Sequence, residues 1–185
     1  MVRLLFMFIA LVFAIANVQA QTDILKFPSH PKLPKKFIKA IEYQTNEFNR
    51  LFDNDSATTK HYPVSFILDK IDNDSNYHYL FLAEYWIAFH YSDIIPELIK
   101  RVTNKKELGL VNSADLIIWE RVQANQMKFY GHGGISTDDL FTIAGRANRL
   151  LTKISGENFG QVSMHSTQEQ LNELQKKWIR WLSTL

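Results

Sequence analysis

The chain has 185 residues, 46% of them hydrophobic and 22% charged, with no cysteine and a formal net charge of +2. Lack of cysteine excludes a disulfide scaffold, thiolate nucleophiles and cysteine metal centres together, so packing has to hold the fold. Because Lys, Arg, Asp and Glu are interspersed along a near-neutral chain, the sequence builds no field for nucleic acid or anionic lipid.

The first twenty residues read as a secretion signal. Arg3 supplies a positive lead, Leu4 to Val18 is a nearly unbroken apolar run, and Val18-Gln19-Ala20 has the small-x-small form of a cleavage site. The run falls short of the ~20 residues that cross a bilayer, so cleavage is expected, leaving an exported periplasmic or extracellular chain with no membrane span. Residues 21–36, punctuated by Pro28, Pro31 and Pro34, are expected to be an extended segment on the surface. Residues 37–185 are expected to form a single all-α domain, long enough to bury its own core.

Along that domain helical periodicity recurs. Phe37, Ile41, Phe48, Leu51 and Phe52 share one stripe; "DNDSATTKHY" reads as a loop; Pro63 opens a short apolar helix through Ile71. After the polar turn "DNDSN", the stretch from Tyr77 to Tyr91 is apolar on nearly all faces and predicts an enclosed central helix. Ser92 and Asp93 are placed to cap the next helix, with Pro96 in its first turn and Ile95, Leu98, Ile99 and Val102 facing inward. Asn112 with Asp115 starts another, carrying Leu116, Ile117, Trp119 and Val122. Ser136 with Asp139 has capping-box spacing ahead of Leu140, Ala144, Ala147, Leu151 and Ile154, and Gly156 stands where a left-handed stop belongs. Ser166 with Glu169 repeats the start signal before Leu171, Leu174 and Trp178. No stretch alternates with period two, so the expectation is an all-α fold of about seven helices.

The segment "IIPELIKRVTNKKELGLVNSADLIIWERV" resembles one unit of a HEAT-type helical repeat, in which an "IPxLI" helix is followed by a turn and a second apolar helix. "AGRANRLLTKISGENFG" followed by "LQKKWIRWL" resembles the closing segment of bacterial HEAT-like repeat proteins, departing from it at Ser155, where Thr is usual. The resemblance spans Asp93 to Leu185. It implies stacked helical hairpins or a short α-solenoid, and a binding surface in place of a reaction.

The most site-like stretch is "YGHGGISTDDLF", Tyr130 to Phe141. His132 with Gly133 and Gly134 is similar to the oxyanion loop of lipases, but that chemistry needs a G-x-S-x-G elbow, which is lacking. Glycines before a helix start could expose N–H groups to an anion, yet Asp138 and Asp139 place two negative charges there; the simpler reading is a sharp turn followed by helix-capping aspartates. "DNDSN" has oxygens at the first, third and fifth positions of a calcium loop but Tyr77 at the sixth and Ala83 at the twelfth, and the histidines show no paired spacing, so no metal or other cofactor is expected. Glu84 is the sole acid within an apolar helix, a candidate general acid or an ion-pair partner. Glu120, Arg121, Arg146 and Arg149 are expected to form a polar network across the Gly131–Thr137 loop.

High aromatic content, concentrated between Tyr77 and Tyr91, suggests that some rings reach the surface as anchors. The expected function is therefore a non-catalytic module binding another protein, for example an immunity or inhibitor protein. The opposing expectation is an envelope-acting hydrolase with Glu84, His132, Asp138 and Asp139 as acid–base candidates.

Overall fold

The computed structural model describes residues 25–52, 59–111 and 115–185. The signal segment, residues 53–58 of the loop "DNDSATTKHY", and Asn112, expected to start a helix, lie outside the described residues. Seven α-helices are present among them: α1 (Lys35–Leu51), α2 (Val64–Asn73), α3 (Tyr77–Trp86), α4 (Tyr91–Arg101), the short α5 (Trp119–Gln123), α6 (Ile143–Ser155) and α7 (Gln168–Leu182). The fold is all-α, as the periodicity predicts. No helix among the described residues is long and apolar enough to cross a membrane.

Helix starts follow local chemistry. Pro34 and Pro63, both with extended backbone, stand immediately before α1 and α2, where a missing N–H costs nothing. Asn76 caps α3 by accepting from the His78 N–H. A complete capping box joins Thr167 and Gln170 at the start of α7, one residue beyond the Ser166–Glu169 pair expected to form it. Gly156, at φ 71°, terminates α6 in the left-handed conformation.

Residues 25–34 have no helix, but they are not merely draped on the surface: Leu25, Phe27 and Leu33 pack against the core. The long apolar stretch from Tyr77 breaks after Trp86 into a 3-10 turn, Ile87–Phe89, and α4 begins at Tyr91 without a side-chain cap. Pro96 thus lies in the second turn of α4, and Ser92 and Asp93 lie within the first turn instead of preceding it.

Helix α6 is the hub. It packs against α1, α2, α3, α4 and the 3-10 turn, and ten of its thirteen residues are buried. Gly145 is required by this close packing, because a Cβ there would overlap the Asp139 carbonyl. Helix α7 closes the bundle against α4, setting Trp178 at the centre of ring contacts with Phe159 and Trp181.

Two expectations fail at the amino-terminal side of α6. The helix expected after Asp115 is replaced by a two-residue strand, β1 (Leu116–Ile117), followed by the single-turn helix α5. β1 pairs in parallel with β2 (Gly134–Ile135), and Ser136 N donates to the Ile117 carbonyl at 2.8 Å. Among the described residues the second apolar helix of the HEAT-like unit is accordingly reduced to the five residues of α5. Second, Ser136 and Asp139 do not cap α6. Thr142 does, accepting from Gly145 N at 3.1 Å, while the Lys106 and Asn104 carbonyls take the Ile143 and Ala144 N–H groups.

Candidate functional site

The loop from Gly131 to Ile135 is a turn built on backbone geometry. Gly131 (φ 80°) and Gly133 (φ 107°) occupy left-handed conformations, and a Cβ on Gly133 would lie 2.6 Å from the Asp115 carbonyl carbon. This near-contact lets Gly134 N donate to the Asp115 carbonyl and begin the β1–β2 ladder. His132 points outward, its Nδ1 3.7 Å from an Asp115 carboxylate oxygen, with both side chains exposed. It joins none of Glu84, Glu120, Asp138 or Asp139.

Those acids serve the interior. Asp139, 1% exposed, grips Arg121 through two charge-assisted hydrogen bonds, Nε to Oδ1 at 2.9 Å and Nη2 to Oδ2 at 2.5 Å. The guanidinium also donates to Gln126 and to Glu107, and lies 4.7 Å from the Phe141 ring centre. Burial opposes its charge, but Asp139 and Glu107 outweigh that and raise its pKa. Asp138 accepts from Val162 N and Asn148 Nδ2, each at 2.8 Å, and burial pushes its carboxyl above the ordinary 3.8.

Glu84, 4% exposed, is paired with Arg149 and has Lys153 Nζ at 4.0 Å. Arg149 also donates to Ser136 Oγ at 3.2 Å, and the Ser136 hydroxyl donates to the Asp138 carbonyl. Burial, with Glu84 nearby, lifts the Tyr77 phenol to about 12. Glu120 ties the same region to the far loop, accepting from Ser163 Oγ and Met164 N at 3.0 Å. Of the four residues expected to form one polar network across residues 131–137, Arg149 alone reaches that loop, at Ser136, while Arg121–Asp139 and Glu120–Ser163 are links of their own outside it.

Arg146 belongs to a separate device. Buried at 1% exposure, it donates only to carbonyls: Leu140 from Nε, Ile71 and Asp74 from Nη1, and Gly109 from Nη2. Among the described residues no carboxylate pairs with it, and burial lowers its pKa to about 10. It is a cross-brace between the end of α2, the 104–111 loop and α6.

The oxygens of "DNDSN" are likewise committed. Asp72 receives Arg101 bidentately at 2.8 and 2.7 Å, and Asn76 caps α3. Among the described residues no three His, Asp or Glu side chains are grouped to hold a metal ion. A shallow groove of about 820 Å³ runs between the loop from Phe159 to Thr167 and α7, lined by polar residues such as His165, Gln170 and Lys177. None of the acid–base candidates lines it.

Surface aromatics occur elsewhere than expected. Tyr77, Tyr79, Phe81, Tyr85, Trp86, Phe89 and Tyr91 are all buried or half-buried; Phe48–Phe89, Phe66–Tyr79 and Phe81–Tyr85 meet edge to face, Phe52–Tyr85 is tilted, and Trp86 stacks on His90. The exposed rings among the described residues are Tyr43 (55%) on α1 and, in a second region, Trp119 (44%), Phe129 (50%) and Tyr130 (60%), with Ile135 (61%) exposed on β2. Trp119 and Phe129 stand 5.2 Å apart between centroids, so they form one surface. Two signals for this lay in the sequence, an apolar run too short to be a helix and a ring pair beside three glycines, but only the fold shows the rings pointing outward.

The chain matches no protein family, no curated protein and no solved structure.

Proposed function

We propose that the chain is a non-catalytic binding module for another protein, and that it binds through the lobe from Trp119 to Ile135. The observation carrying this reading is the exposed Trp119–Phe129 ring pair, with Tyr130 exposed next to Phe129 in the chain and Ile135 exposed on β2, paired with Ile117 two residues before Trp119. Aromatic side chains supply large contact area at low entropic cost, and they dominate the energetics of interfaces when they seat in a partner's pocket. The lobe is mounted on a firm base, because Arg121, two residues after Trp119, is locked to Asp139, and β1–β2 fixes Ile135. A surface held in its bound form loses less conformational entropy on binding.

The opposing reading, a hydrolase, is not favoured by the geometry. Its candidates do not converge: His132 is at the surface beside Asp115, while Glu84, Asp138 and Asp139 are buried and engaged by Arg149, Asn148 and Arg121. An acid or base must reach a substrate proton, and these oxygens face protein donors. An immunity or inhibitor protein is the specific form of the binding reading, and expected export through residues 1–20 makes its partner an envelope or extracellular protein.

The test is affinity purification from native envelope extract with the wild type and with Trp119→Ser/Phe129→Ser. The expected result is a discrete partner recovered by the wild type and reduced at least tenfold by the variant, as loss of aromatic anchors implies. Equal recovery by both would move the interface away from this lobe.

A further inference from the structure

The near-neutral total charge conceals two basic stretches that the fold brings together. Two stretches, Leu25 to Ile41 and Leu174 to Leu185, hold eight of the twenty-one cations and none of the nineteen acids. The rest of the chain is left with thirteen cations against nineteen acids. Folding places the two basic stretches side by side: Lys32 N donates to the Leu185 carbonyl, and the Phe37 ring lies 5.7 Å from Trp181. Gly156, ending α6, abuts the Lys36 carbonyl, and Lys177 Nζ reaches the Phe159 carbonyl at 3.1 Å, so four segments meet at this end.

Two acids touch the assembled face, Glu157 on Lys36 and Glu173 on Lys176. Lys26, Lys32, Lys35, Lys39, Lys177 and Arg180 are exposed and have no ion-pair partner among the described residues. Apolar groups are interleaved with them. Ile38 is 42% exposed between Lys36 and Lys39, and a cleft of about 350 Å³ with Phe159 and Trp181 in its walls opens between Lys177 and Arg180.

We propose that this face docks the protein onto an anionic phospholipid surface. A cluster in which eight cations face two acids answers phosphate headgroups, and apolar side chains among the cations fit the interfacial zone of a bilayer, which a nucleic acid backbone lacks. The geometry is coherent with the proposed binding lobe without depending on it. The basic face lies at the carboxyl end of α6 and the aromatic lobe near its amino end, about 20 Å away at 1.5 Å per residue. Docking on lipid leaves the lobe pointing outward.

Sedimentation of the full chain with vesicles tests this, comparing pure phosphatidylcholine with phosphatidylcholine containing about one-third phosphatidylglycerol. Partition onto the anionic vesicles alone is expected, weakening steeply as salt rises from about 0.05 to 0.5 M. Lys35→Gln/Arg180→Gln should weaken it about tenfold or more, while Lys105→Gln/Lys106→Gln, which removes the same charge elsewhere, should change it less than twofold. No partition at low salt, equal partition onto neutral vesicles, or equal loss in both variants would overturn the proposal. Tighter binding to a DNA duplex than to the anionic vesicles, read by anisotropy in the same buffer, would overturn it in favour of a nucleic acid.

Discussion

Replacing Asp139 by Asn tests the Arg121–Asp139 pair directly. The substitution keeps shape and leaves one oxygen that can still accept from Phe141 N and Arg121 Nε, while it removes the charge and puts an NH2 donor where Oδ2 accepts from Arg121 Nη2. Arg121 is 1% exposed and its other acid, Glu107, is 61% exposed at the side chain, so most of Glu107's attraction is screened by water. A buried guanidinium left without its carboxylate costs about 3–5 kcal/mol; with Gln126 and Glu107 still bonded, the lower end applies, about 3 kcal/mol. For a chain of this size that corresponds to a melting midpoint lower by about 6–12 °C. Urea unfolding followed by circular dichroism, with an unchanged m-value, is the assay. A loss under about 1 kcal/mol would show that Arg121 reaches solvent or another anion and that the pair is not what anchors the lobe. Arg121→Met/Asp139→Leu adds a second check, since removing both charges should recover most of the stability lost by the single variant.

Other substitutions separate roles that sequence alone merges. Thr142→Ala should cost about 1 kcal/mol as a lost helix cap, measured by the same unfolding assay, and a negligible loss would return the cap to Ser136 and Asp139. Arg146→Lys should cost at least about 2 kcal/mol, because one ammonium cannot serve carbonyls on Ile71, Asp74, Gly109 and Leu140 together; a neutral effect would refute the cross-brace. Asp138 carries a pH prediction. Its folded pKa is raised, so the folded state holds its proton more tightly, and ionisation of this carboxyl disfavours folding as pH rises through the window above 3.8. Asp138→Asn removes that penalty, so the variant should compare better with the wild type at pH 7 than at pH 4; the reverse order would show that Asp138 is stabilised as the anion.

Much of the helical frame is written in short-range signals. Pro63 and Gly156 act through their own backbone or the next turn, and the structure finds each where its local chemistry places it. The start of α7 was one residue off because Ser166 and Thr167 offer equivalent hydroxyls, and Ser166 instead accepts from Ser163 N. The run Leu116 to Val122 was read as helix because a short apolar run has no distinguishing period; pairing with Gly134–Ile135, made possible by Gly133, decided for a strand. Asp138 and Asp139 looked like caps because their partners, Val162, Asn148 and Arg121, lie 10 to 24 positions away. His132 had no structural task in the sequence and has only Asp115 in the fold. The aromatic surface was legible as a composition, but its location was not, since ring exposure depends on which helices cover which.

The central claim is that the lobe around Trp119 meets a protein. Photo-crosslinking from a benzophenone side chain placed at Phe129, compared with one at Tyr43, an equally exposed ring on α1, tests it most directly. In the native envelope the account predicts a discrete adduct from position 129, none of that mass from position 43, and its loss on Trp119→Ala. An absent adduct at 129, or the same adduct from both positions, would contradict it.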